Sequence, residues 1–114
     1  MVECTFCKII SGKIQGDILY EDDKVVAFSD INPQAPVHVL IVPKKHIPTI
    51  LDVKERDMDI VSHIYSIVNR IAEDKGLSSK GFRVVLNCKD DGGQAVYHLH
   101  FHLLGGRRMN WPAG

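Results

Sequence analysis

Histidine alternates with apolar residues in His98-Leu99-His100-Phe101-His102-Leu103-Leu104. A period of two is that of a β-strand, whose successive side chains point to opposite faces. The pattern predicts a strand with three imidazoles on one face and Leu99, Phe101 and Leu103 filling the core behind them. Met58, Val61, Ile64, Tyr65, Val68, Ile71 and Ala72 recur at three- and four-residue spacing, which predicts one long amphipathic helix. Asp52 followed by Glu55 reads as a capping-box-like start for that helix, and Gly76 as its end. Residues 18–21 and 25–28 flank the acidic turn Asp22-Asp23-Lys24 and predict a hairpin. Residues 38–42 read as a buried strand ended by Pro43, and residues 82–88 as another, with Cys88 in its core. Asn32-Pro33-Gln34-Ala35-Pro36 cannot sustain a ladder and reads as a loop. Residues 5–11 read as a short helix stopped by Gly12, and residues 90–93 as a turn before the histidines. Strands joined by short turns, with one long helix between them, imply an α+β fold: an antiparallel sheet with the helix packed on it.

Composition narrows the class. The chain has 114 residues, 45% hydrophobic and 25% charged, which suits one domain over residues 1–114 with a single modest core. The 14 basic and 14 acidic residues balance, which excludes a protein that coats nucleic acid and suits self-association. No apolar run approaches the roughly 20 residues needed to span a bilayer. The start, Met1-Val2-Glu3-Cys4, has no basic stretch followed by an apolar one, so no export signal is read. The expected location is the cytoplasm, where the three cysteines are reduced or metal-bound.

Three imidazoles in one row admit two chemistries. They could bind a catalytic zinc ion as three protein ligands with an open position. Alternatively, one neutral imidazole could attack phosphorus and form a covalent nucleotidyl intermediate. The second reading needs one ring nitrogen bare and the other donating inward, with neighbouring imidazoles binding phosphate oxygens. His100 is the natural nucleophile because a histidine flanks it on either side. Gly92-Gly93-Gln94 just upstream lets backbone amides approach an anion. No P-loop or Gly-x-Gly-x-x-Gly fingerprint is present.

The histidine run resembles the signature of the histidine triad (HIT) family, His-φ-His-φ-His-φ-φ. The resemblance extends over Phe28 to His38, Ile41 to Ile47 and Asp91 to Tyr97. The ending Gly105-Gly106-Arg107-Arg108-Met109-Asn110-Trp111-Pro112 is similar to the Hint branch, the histidine triad nucleotide-binding proteins. A Fhit-like dinucleoside polyphosphate hydrolase is the other enzymatic reading. A nucleotide-binding regulatory protein with little activity is the non-enzymatic one. The resemblance implies a five-stranded antiparallel sheet with one long and one short helix, extended across a homodimer. It implies hydrolysis of purine nucleoside 5′-phosphoramidates, with His100 attacking the α-phosphorus and His98, His102 and His38 supporting the phosphate and the histidine network. Asp30 is then expected at the ribose, and Phe6, Ile9, Phe28 and Ile31 around the base. Asn87, Gly93, Gln94, Ala95 and Val96 are expected along the phosphate and leaving group. The family usually carries Ser or Thr where this chain has Ala95.

Cys4-Thr5-Phe6-Cys7 can supply two thiolates to one tetrahedral metal, which needs two further ligands. Some bacterial members of the family resemble this chain here and complete a zinc site from the positions of His46 and His98. A structural zinc ion on Cys4, Cys7, His46 and His98 is what that resemblance implies; two reduced cysteines packing the first helix are the alternative. No organic cofactor is implied. His63 reads as structural or solvent-facing and Lys44-Lys45 as a solvated turn. Trp111 and Pro112 are expected at a subunit interface or beside the active site.

Overall fold

The structure is a computed structural model of the chain and describes residues 4–114. Among these residues five strands form one antiparallel sheet: β1 (Ile18–Glu21), β2 (Val25–Ser29), β3 (Val37–Pro43), β4 (Phe82–Val85) and β5 (Phe101–Gly105). Their order is β1-β2-β3-β5-β4, so the last strand in the chain lies inside the sheet. A long helix, α2 (Met58–Asp74), joins β3 to β4, and two short ones, α1 (Thr5–Ile10) and α3 (Lys89–Gly92), precede β1 and follow β4. The α+β fold predicted from the pattern is the one observed.

Strand alternation divides the interior in two. Val25, Ala27, Val39, Ile41, Phe101 and Leu103 face α2 and pack with Ile64, Ile67, Val68 and Ile71. Val26, Phe28, Leu40 and Val42 face the other way, toward Phe6 and Ile9 of α1. Because both faces of β2 and β3 are covered, these strands read as continuous apolar runs. β5 alternates because its second face carries His102 into the site.

Several boundaries differ from the pattern, each for a physical reason. The capping box belongs to the 3-10 turn Ile50–Asp52, where the Asp52 carboxylate accepts from the Thr49 amide and hydroxyl. α2 begins later, at Met58, and Asp57 there pairs with Lys45 at 2.9 Å. Lys44 pairs with Glu21 at 2.8 Å, so the bend Lys44-Lys45, with Lys45 exposed, also braces the end of β3. On α2, Met58 and Tyr65 are about half exposed and Ile67 is buried in the stripe. β4 ends at Val85, opposite His102, so residues 86–88 leave the sheet. Cys88 is half-buried and caps α3, which replaces the expected turn.

The histidine strand also starts later than its pattern. The β3–β5 ladder ends at Ile41 opposite Phe101, leaving His98, Leu99 and His100 outside it. β3 terminates at Pro43, which has no amide hydrogen to extend the ladder. Instead the Pro43 carbonyl accepts from His98 Nε2 at 2.8 Å, and the Leu99 amide donates to the Ile47 carbonyl at 2.7 Å. The three imidazoles therefore do not form one row.

His63 is a structural tie between helix and hairpin. Its Nε2 lies 2.7 Å from Asp22 Oδ2, which also accepts from the Tyr20 hydroxyl. Burial alone would raise the Asp22 carboxyl, but bonds from His63, Tyr20 and the amides of Lys24 and Val25 hold it well below the usual carboxylate range. Trp111 is 83% exposed. No helix among the described residues is long and apolar enough to cross a membrane.

Candidate active site

Where α1, the end of β3 and the start of the histidine run meet, Cys4, Cys7, His46 and His98 converge. Their four ligand atoms lie within 4.8 Å of one another. Cys4 caps α1, and its sulfur accepts the Cys7 amide at 3.3 Å. His98 is fully buried, with Nδ1 at 3.3 Å from Cys4 Sγ, 3.6 Å from Cys7 Sγ and 3.1 Å from His46 Nδ1. Zinc–sulfur and zinc–nitrogen bonds of about 2.3 and 2.0 Å give tetrahedral edges of roughly 3.3–3.8 Å, close to this spacing. His98 gives its one hydrogen to the Pro43 carbonyl through Nε2, so its Nδ1 is bare and aimed at the two sulfurs. Lone pairs pointed at a common centre call for a cation, and this donor set fits zinc. Burial, with the hydrogen bond and charge of Cys4, raises the Cys7 thiol above its usual value, so metal binding must displace protons.

The same reasoning rejects a second cluster. Asp30, His38 and His102 also lie close enough to surround an ion. However, His38 Nδ1 accepts the Gln34 backbone amide at 3.0 Å, which leaves the ring hydrogen on Nε2. That N–H points at His102 Nδ1, 2.9 Å away, with Asp30 Oδ2 at 3.4 Å. Neutral His38 offers no lone pair there.

This chain of bonds sets the tautomers of the remaining histidines. His102 accepts at Nδ1 and so carries its hydrogen on Nε2. His100 is the reverse: its Nδ1 donates to the His98 carbonyl at 2.7 Å, leaving Nε2 bare. The two rings lie 5.0 Å apart, centroid to centroid, and both line one cavity. A bare nitrogen thus stands beside an N–H donor. The three triad imidazoles cannot share a catalytic ion, because His98 faces the cysteines.

The cavity has a volume of about 380 Å³. Of the residues predicted for a nucleotide, Phe6, Ile9, Phe28, Asp30, Ile31, Ala95, Val96, His100 and His102 line it. Asn87, Gly93 and Gln94 do not. The Gln94 side chain is spent on the Lys89 amide and the Pro48 and Val96 carbonyls. Thr5, Ile14, Gln15, Gly16, Ser29 and Leu40 complete the wall without having been singled out in the sequence. Gly16 carried no motif, yet a Cβ there would stand 3.1 Å from Ile9, so its smallness lets the segment after α1 close the cavity.

Burial pushes the imidazoles of His38, His98, His100 and His102 below the usual histidine value. His102, which also feels His100 and His38, is pushed to about 4, while Asp30 pulls weakly the other way. All four rings are therefore neutral near pH 7. Unfolded imidazoles take up protons near 6.5, whereas these resist until lower pH. The unfolded chain binds more protons in that window, so stability falls as pH drops from about 6.5 toward 4. The urea midpoint is expected to decline stepwise across that range; a flat profile would contradict the buried neutral state.

An α+β sheet holding an oriented histidine network beside an apolar cavity with one carboxylate defines the histidine triad class. The chain belongs to the HIT domain family, whose sequence profile matches residues 11–109. It is 48% identical over 109 residues to an uncharacterized HIT-like protein of Synechococcus elongatus, covering 96% of this chain and 95% of that one. It is 47% identical over 111 residues to a 14 kDa zinc-binding protein of Brassica juncea, covering 96% and 97%. The crystal structure of a HIT family hydrolase from Legionella pneumophila superposes with a TM-score of 0.96 at 50% identity, covering 98% of this chain and all of that one.

Proposed function

We propose that this protein is a Hint-branch hydrolase that cleaves purine nucleoside 5′-phosphoramidates through a nucleotidyl-His100 intermediate. The observation that carries this reading is the opposite polarity of the two cavity imidazoles, His100 bare at Nε2 and His102 protonated there. In this scheme the base lies among Phe6, Ile9, Phe28 and Ile31, and Asp30 accepts from the ribose hydroxyls. His100 Nε2 attacks the α-phosphorus, and the P–N bond breaks with its electron pair on nitrogen. The nitrogen takes a proton from solvent and departs as the amine. The intermediate imidazolium keeps its Nδ1 hydrogen on the His98 carbonyl, near the Asp30 charge. The His102 N–H donates to a phosphoryl oxygen as charge builds there. Water then attacks phosphorus, loses its proton to solvent, and returns neutral His100 with a nucleoside monophosphate. Cys4, Cys7, His46 and His98 would hold the zinc ion, which would cross-link α1 to the segments after β3 and before β5 and supply no atom to the bonds that change.

Intact-mass measurement after rapid mixing with adenosine 5′-phosphoramidate tests the scheme. One added AMP on the wild type, absent from His100→Ala, is expected, together with free AMP. Binding without adduct or AMP would move the protein to a regulatory role.

Ala95 is exposed at the cavity lip beside Val96 and the two reacting histidines. A hydroxyl there reaches the leaving-group side, so Ala95→Ser is expected to raise turnover several-fold, worth about one hydrogen bond. An unchanged rate would remove Ala95 from the account.

A homodimer completes the reading. Its support is the edge position of β4, where Phe82 is 39% exposed, and the exposed Trp111 beyond β5. Sedimentation at micromolar concentration should give twice the chain mass; a stable monomer would refute the dimer.

A further inference from the structure

We propose that Arg107, which touches none of the active-site histidines, is a positioning residue that sets the proton on His102. Arg107 lies just past β5, on the wall of a separate cavity of about 460 Å³ that it shares with Lys80 and Arg108. Its Nε and Nη2 both donate to the Gln34 carbonyl, at 3.1 and 3.0 Å, across 73 positions of the chain. Two donors on one oxygen from a rigid guanidinium fix direction as well as distance.

Gln34 is an exposed residue in the loop between β2 and β3, and among the described residues its side-chain amide reaches only Asn32 in the same loop. The Arg107 fork therefore supplies its long-range hold. Gln34 is also the residue whose backbone N–H meets His38 Nδ1 at 3.0 Å. That bond puts the His38 hydrogen on Nε2, which occupies His102 Nδ1 and puts the His102 hydrogen on the cavity side. The order is Arg107, Gln34, His38, His102. Releasing the first member lets the Gln34 amide drift. Once His38 Nδ1 has lost its donor, only the Asp30 carboxylate, 3.4 Å from Nε2, still favours the Nε2–H tautomer, and the preference weakens. His102 then presents an N–H to the cavity in only part of the molecules.

The experiment uses zinc-loaded protein with ¹⁵N-labelled histidine, comparing wild type, Arg107→Ala and Arg107→Lys. Nitrogen–proton correlation spectra should show His38 and His102 wholly as Nε2–H in the wild type and as mixtures in Arg107→Ala. Arg107→Lys keeps one donor and should recover part of the wild-type pattern. With adenosine 5′-phosphoramidate, Arg107→Ala should lose about tenfold in kcat, the low end for removing an outer hydrogen-bond partner, at unchanged KM. The rate measurement rests on the reaction proposed above, whereas the tautomer measurement needs no substrate. A wild type without turnover would thus count against that reaction and leave the spectra to judge the tautomer chain. Unmixed tautomers in Arg107→Ala would overturn the inference. So would mixed tautomers with wild-type kcat, or a joint loss in kcat, KM and melting temperature with tautomers intact, which marks a merely structural residue.

Discussion

His100→Ala is expected to abolish phosphoramidate turnover, by at least about 10⁴-fold, because among the described residues no other histidine turns a bare nitrogen to the cavity. His38 points its hydrogen at His102 Nδ1, His102 carries its own on the cavity side, and His98 is turned toward the cysteines. His102→Ala removes a donor rather than the attacking atom and should cost less, about 10²–10³-fold. Steady-state kinetics on the two variants therefore rank the histidines. The His98 carbonyl loses its His100 partner in the first variant, so melting temperature and zinc content are measured alongside. A His100→Ala protein that is folded, zinc-replete and still active would overturn the nucleophile assignment. Equal losses from the two variants would mean that the rings act as one unit.

The second large effect is expected at the candidate metal site of Cys4, Cys7, His46 and His98. Cys7→Ser is expected to reduce zinc from one equivalent to near none and to lower stability by about 4 kcal/mol where free zinc is 1,000 times Kd. The loss arises because α1 is only six residues long and cannot hold itself as a helix in water. Phe6 and Ile9, which form one wall of the cavity, ride on it. Chelation of the wild type should reproduce the effect, and metal analysis with thermal melts checks both. The chelated protein should lose nucleotide affinity along with stability, since that wall loosens. Wild-type stability in Cys7→Ser would leave the cysteines as ordinary packing residues.

How much of this was legible beforehand depends on the range of the signal. The hairpin and the long helix are local patterns and both appear, whereas the two-residue beat of the histidines becomes a strand only from Phe101 onward. The ends of those elements depend on neighbours distant in the chain. β5 begins at Phe101 because its ladder with β3 ends at Ile41, two residues before Pro43 closes that strand, and no feature of residues 98–100 announces that. Asp52 looked like the cap of α2, but Thr49 was the closer partner. Ile67 was missed because the chosen stripe followed Met58 and Tyr65, which lie toward its wet edge. Within the site, residues named by motif and family resemblance mostly came together. Ile14, Gln15 and Gly16 went unremarked because their segment has no period. The Gln34 amide and the Pro43 carbonyl went unremarked because a backbone group has no letter of its own.

His98 serves the molecule twice, through two parts that substitution treats differently. Its ring faces the cysteines of the candidate metal site, while its carbonyl holds the hydrogen of His100. Replacing the ring leaves the carbonyl in the chain. A descendant that lost its zinc could exchange this histidine for another residue able to fill the buried space, and still keep its nucleophile aimed. The second and third histidines have no such freedom. The three letters of the motif are thus free to drift at different rates, the first with the supply of metal and the others only with the reaction.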